Sequence, residues 1–128
     1  MYQIDNMSRQ AIYEQVAAQI ETYVLTGVLK AGDKLPSVRS LSVDLCVNPN
    51  TIQRAYTELE RAGIIVTAPG RGAFVGEEGL VRLRERRRQM ALTELKTLVL
   101  SLKLSGLEKD EVLKAVEDAF GEKEQADD

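Results

Sequence analysis

Asn48-Pro49 constrains this chain more than any other pair of residues in it. Asparagine is among the preferred residues just before a helix. Proline is best tolerated at the first helical position, where its missing N–H would have no partner anyway. The pair therefore predicts a helix starting at Pro49, with Ile52, Ala55, Tyr56, Leu59 and Ala62 on its inner face and Gly63 as its stop. Upstream, Ser37 follows Pro36 and can cap a short helix whose apolar set is Val38, Leu41, Val43 and Leu45. Two short helices joined by about four residues, the second sharply started, make the helix-turn-helix pattern.

The flanks extend that pattern. Ile12, Val16, Ile20 and Val24 recur every fourth residue, which predicts an amphipathic helix over 10–26 with Ser8 as its N-cap and Gly27 as its stop. The run 30–36 reads as a turn, because Gly32-Asp33 and Pro36 break regular structure. After Gly63 the period changes: Ile64-Ile65-Val66-Thr67 and Ala73-Phe74-Val75 read as strands around the tight turn Pro69-Gly70-Arg71-Gly72. Three helices and a hairpin with one arginine at its tip read as a winged helix over residues 1–76. From Leu80 the chain is helical again, with no glycine or proline until Gly106, and Asp110 and Glu111 suit the first turn of a last helix. The predicted fold class is mainly α with a small β-hairpin: an N-terminal winged helix-turn-helix (1–76), a two-helix segment (77–121) and a frayed acidic tail (122–128).

Composition excludes several functions. The chain has no histidine and a single cysteine, Cys46, so histidine catalysis, an intramolecular disulfide and a multi-thiolate zinc site are ruled out. No glycine-rich phosphate loop or paired-carboxylate constellation stands out, so no catalytic residue, metal or cofactor is expected and an enzyme is disfavoured. No apolar run approaches the roughly 20 residues that cross a bilayer, and the start lacks the pattern of an export signal. A reducing, cytoplasmic setting is expected. Cys46 reads as a small buried hydrophobe. The net charge is −3, yet residues 1–76 balance seven basic against seven acidic side chains, and Arg82, Arg84, Arg86, Arg87 and Arg88 form a tight cluster before an acidic end. That cluster reads equally as a solvated, ion-paired face or as extra phosphate contacts.

The run from Ile12-Tyr13-Glu14-Gln15 through Gly27–Arg39, Val47–Thr51 and Ala55–Glu60 to Gly63-Ile64-Ile65 and Gly70–Val75 resembles the GntR family of bacterial transcription regulators. The match spans about half of the chain. The Asn-Pro-Asn-Thr helix start and the short, helical C-terminal part look like its YtrA subfamily. The resemblance implies a dimeric, DNA-binding repressor, of a group that often sits beside ABC-transporter genes. It places Arg39 at the family arginine that contacts DNA, and Asn48, Asn50, Thr51 and Gln53 at polar positions of the recognition helix. Gly70 and Arg71 fall at the wing tip that enters the minor groove. Pro49 and Gln53 stand where many members carry arginine, which reduces guanine reading. Cys46 replaces the more usual glycine of the turn.

Physical reading agrees. A recognition helix presents its N-terminal residues to base edges, asparagine and glutamine pair with adenine, and a narrow basic tip fits an A·T-rich minor groove. The candidate DNA site is Ser37, Arg39, Asn48, Pro49, Asn50, Thr51, Gln53, Arg54, Gly70, Arg71 and Gly72. A lone leucine-rich helix cannot rest in water, and two helices are too few to bury its face. A second copy is the expected solution, meeting at Leu92, Leu95, Leu98, Val99, Leu102, Val112, Val116 and Phe120. The expected partners are thus double-stranded DNA and a second copy in a homodimer, with room for a small-molecule effector of unknown identity and no membrane. The alternative is a winged helix that serves as a protein-interaction module.

Overall fold

The computed structural model describes residues 1–122; the expected tail lies outside the described residues beyond Glu122. Among the described residues, five helices and one hairpin follow in chain order: α1 (Ile12–Leu25), α2 (Val38–Leu45), α3 (Pro49–Arg61), β1 (Ile65–Ala68), β2 (Gly72–Val75), α4 (Gly79–Leu104) and α5 (Lys109–Gly121). The mainly helical fold with one hairpin, read from the sequence, is the observed one. The chain divides into two compact units, the first ending at Arg87 and the second beginning at Arg88.

The first unit is built on a core of Val16, Ile20 and Val24 from α1, Leu41 from α2, and Ile52, Ala55, Tyr56 and Leu59 from α3. Ile64, Ile65, Ala73 and Val75 of the wing close it. Residues 79–87 of α4 belong to this unit and contribute Leu83, which is fully buried. Gly79 permits that approach: a Cβ there would stand 2.6 Å from the Ile64 carbonyl oxygen. The wing pairs antiparallel, with Ile65 opposite Val75 and Ala68 opposite Gly72.

Four local expectations are corrected. The run 30–36 is only partly a turn: Lys34 forms an antiparallel bridge with Phe74, and the Leu35 N–H donates to the Ala73 carbonyl at 2.8 Å. A single-residue strand carries no period, so the sequence could not separate it from a turn. Ser8 does not cap α1, which starts after Ala11; its hydroxyl accepts from the Gln10 N–H at 3.1 Å instead. Val43 is exposed rather than inward, because it lies about 200° around the helix from the buried Leu41. Cys46 is also exposed.

The segment before α1 has no hydrophobic period, yet it docks along that helix. Gln15 accepts from the Asp5 N–H at 2.7 Å and donates to the Asp5 carbonyl at 3.0 Å. One turn on, Gln19 clasps the N–H and carbonyl of Gln3 in the same way, and the Tyr23 hydroxyl donates to the Met1 carbonyl at 2.7 Å. Four helical residues rise about 6 Å and two extended residues span about 6.7 Å, so the two repeats keep step.

Cys46 terminates α2 in the left-handed region, at φ 56° and ψ 43°. Its N–H donates to the Val43 carbonyl at 3.2 Å and the Val47 N–H to the Ser42 carbonyl at 3.0 Å, the paired bonds of a Schellman turn. α3 and α4 end in the same motif with Gly63 and Gly106 at the equivalent place. A side chain in that conformation costs about 1–2 kcal/mol, whereas glycine adds back about 0.5–1 kcal/mol of unfolded-chain entropy. Cys46→Gly therefore raises stability by about 0.5–1 kcal/mol. Urea unfolding of both proteins at equal concentration checks this, and a lower midpoint for the variant contradicts it.

The second unit is different in kind. Between Arg88 and Glu122 no residue is buried, and only Leu102 and Val112 are partly covered. Helix α5 is nonetheless well started: the Glu111 carboxylate accepts from the Glu108 N–H at 3.1 Å, and Asp110 and Glu111 occupy the first turn. Among the described residues no helix is long and apolar enough to cross a membrane, and no group of acids and thiols could hold a metal.

Candidate nucleic-acid interface

The helix starts are built as their sequences dictate. The Ser37 hydroxyl accepts from the Ser40 N–H at 3.0 Å to cap α2, and the Asn48 side-chain oxygen accepts from the Asn50 N–H at 2.8 Å to cap α3. Pro49 occupies the first turn of α3. Arg39 and Asn50 are exposed on the first turns of these two helices, Gln53 and Arg54 are exposed on the second turn of α3, and Thr51 is half-buried. Gln53 lies along its own helix, donating to the Thr57 hydroxyl at 3.2 Å.

The wing tip is a three-residue loop closed by the Arg71 N–H, which donates to the Ala68 carbonyl at 2.9 Å. Gly70, Arg71 and Gly72 are all exposed. Tyr56 joins the recognition helix to the start of α2: its buried hydroxyl donates to the Pro36 carbonyl at 2.7 Å. Burial, with a smaller contribution from Tyr2, pushes the Tyr56 phenol well above its ordinary value, so it stays a donor. The adjoining Leu35 N–H bonds the wing at Ala73. One strap, 34–37, thus ties wing, α2 start and α3 into a single scaffold.

Charge is distributed unevenly over this scaffold. Among the described residues, Lys34, Arg39, Arg54 and Arg71 make no ion pair. By contrast, Arg61 pairs with Glu58 at 3.2 Å, Arg82 with Glu78 at 3.4 Å, and Arg86 with Glu21 of α1. Part of the arginine cluster is therefore spent inside the first unit, where Arg86 holds α4 to α1. The elements read as DNA-facing keep their positive charge, although the whole chain is acidic.

Two residues escaped the sequence reading. Lys34 runs beside the wing tip, its Cε 3.1 Å from where a Cβ of Gly72 would stand. Tyr13 lies under Arg54, whose guanidinium carbon is 3.8 Å from the ring centroid. Lys34 was hidden in a segment read as a turn, and Tyr13 falls off the apolar stripe of α1.

The profile of bacterial regulatory proteins of the gntR family matches residues 12–75. The HTH-type transcriptional repressor YtrA of Bacillus subtilis is 43% identical over 112 residues, covering 88% of this chain and 86% of that protein. A transcriptional regulator from Oenococcus oeni has a similar crystal structure, with a TM-score of 0.78 at 32% identity, covering 91% of this chain and 97% of that one. The AraR DNA-binding domain in complex with operator ORE1 matches 57% of this chain and 89% of its own, at 25% identity and a TM-score of 0.51. The winged helix, its unneutralised cations and these likenesses lead to one conclusion: the chain belongs to the GntR family of bacterial regulators, is YtrA-like, and is a DNA-binding transcriptional regulator rather than an enzyme.

Proposed function

We propose that this regulator is a homodimeric repressor that reads an inverted-repeat operator, with residues 1–76 as the reading head and 77–121 as the dimerisation segment. Each copy lays α3 in a major groove, with Asn48, Pro49, Asn50, Thr51, Gln53 and Arg54 at the entering end, and inserts Arg71 between Gly70 and Gly72 into the adjacent minor groove. Ser37 and Arg39 hold the phosphate backbone beside them. The half-sites lie about one helical turn, or a multiple of it, apart. Asparagine and glutamine at the helix start favour adenine, so the operator is A·T-rich. Occupation of a promoter then represses by occlusion. A transporter operon is the target that the YtrA-subfamily resemblance suggests, and binding of a small-molecule effector is our reading of how release occurs.

The observation that carries the DNA reading is the placement of exposed, unpaired arginines at the start of α2 and at the wing tip. Among the described residues, Arg39 and Arg71 stand exposed and unpaired on the two elements that would meet DNA; Arg61, Arg82 and Arg86 are paired elsewhere on the first unit, and Arg9, Arg84 and Arg87 are, like Arg39 and Arg71, without an ion pair. Dimerisation is supported by the second unit, which leaves Leu92, Leu95, Leu98 and Val99 exposed on α4, and Val116 and Phe120 exposed on α5. Helices with so much uncovered apolar surface bury it against a partner.

Fluorescence anisotropy tests the function. A labelled duplex from the DNA upstream of this protein's own gene is compared with a shuffled duplex at about 150 mM salt, since low salt inflates non-specific binding. The expected preference is roughly a thousandfold or more. Absence of binding to either duplex, even at low salt, contradicts the reading and favours a winged helix that binds protein.

A further inference from the structure

We infer that Tyr13 is a positioning residue for DNA binding, a platform on α1 that holds the Arg54 guanidinium ready for a phosphate. The inference rests on the DNA-facing reading of Arg54 given above. Tyr13 itself belongs to α1, outside the helix-turn-helix, the wing and the dimer segment.

The Arg54 guanidinium carbon sits 3.8 Å above the Tyr13 ring centroid, and its Nη2–H donates to the Tyr13 hydroxyl at 3.2 Å. The ring and its hydroxyl thus hold the guanidinium at two points. The two residues are 41 positions apart in sequence, so the contact exists only because α1 and α3 pack together. That seam is rigid, since Val16, Ile20, Ile52 and Tyr56 share one buried core. Glu14, beside Tyr13, turns its carboxylate back to accept from the Ala11 N–H and does not reach Arg54.

The electrostatics point outward. A carboxylate partner would neutralise Arg54, whereas a ring leaves its charge intact. Arg54 is exposed and, among the described residues, makes neither an ion pair nor a hydrogen bond other than the one to Tyr13. Its remaining N–H donors are left for an anion, and a guanidinium matches phosphate oxygens in a bidentate way. A free arginine loses rotamer freedom when it binds; one already held on a ring loses less. The ring thus contributes affinity without touching DNA.

The test uses the full-length protein and the labelled duplex that it selects most strongly from a random-sequence pool. Tyr13→Leu fills the same place on the α1–α3 seam without a π face. It is expected to weaken binding about fivefold to thirtyfold, with two copies per duplex. The slope of log affinity against log salt should stay unchanged, because the charge is kept. Tyr13→Phe retains the ring and should recover affinity to within about threefold of wild type. Arg54→Ala should weaken binding further and lower the salt slope by about one per copy. Thermal unfolding of each variant separates loss of fold from loss of contact. If Arg54→Ala leaves affinity and slope unchanged, the DNA-facing assignment of Arg54 fails and the inference with it. If Arg54→Ala weakens binding but Tyr13→Leu does not, or if Tyr13→Phe is as weak as Tyr13→Leu, the platform alone is overturned.

Discussion

Leu95→Asp is expected to turn a dimer into a monomer and to lower operator affinity by two to four orders of magnitude. Leu92, Leu95, Leu98, Val99 and Leu102 fall within about 120° of arc on α4, and Leu95 stands at its centre. A carboxylate placed there must be desolvated in any apolar interface, at a cost of several kcal/mol. Separation of the copies then removes the second half-site contact, and linked binding is worth about 10²–10⁴ in affinity. The winged helix should remain folded, because its core uses no side chain beyond Leu83. Sedimentation velocity reads the mass and anisotropy reads the affinity, with circular dichroism as the control for helix content. A variant that stays dimeric with unchanged affinity places the interface elsewhere.

Arg71→Ala carries the second large effect. One arginine at the wing tip of each copy, placed in a narrow minor groove, contributes about 1–3 kcal/mol, so a dimer loses roughly 30-fold to 10⁴-fold. Arg39→Ala should fall in the same range and lower the salt slope by about one per copy, as a phosphate contact does. Arg71→Ala should in addition relax the preference for A·T pairs beside the half-site. Arg61→Ala serves as the control, because that residue sits at the far end of α3 and is paired with Glu58. It should change affinity less than about twofold. Equal losses in Arg61→Ala and Arg71→Ala would reduce the wing to a source of general positive charge.

Much of this architecture was legible because its signals are local. Asn48-Pro49 starts α3 and Gly63 ends it, and both act within a turn of the residues that carry them. Hydrophobic period four marks α1, and the β-branched run after Gly63 marks the wing. What escaped is held by contacts between distant residues. Gln15 and Gln19 reach 10 and 16 positions back to bind the N-terminal arm, and amide side chains leave no trace in a hydrophobic pattern. Tyr13 meets Arg54 only after α1 and α3 have packed. The Arg86–Glu21 pair spans 65 positions, so composition could count the arginine cluster without saying which of its members would be neutralised. Cys46 shows the converse. The resemblance marks its position as one where glycine is more usual, which agrees with the left-handed turn found there, but its exposure was not legible, since cysteine is among the residues most often buried.

How many copies read how many half-sites is the central question for this regulator. Selection of bound duplexes from a random pool, followed by measurement of the mass of the complex on the winning sequence, addresses both. The expected result is an A·T-rich inverted repeat, half-sites about one helical turn or a multiple of it apart, with two chains on each duplex. A single unrepeated site bound by one chain, or no enrichment over the starting pool, would contradict it.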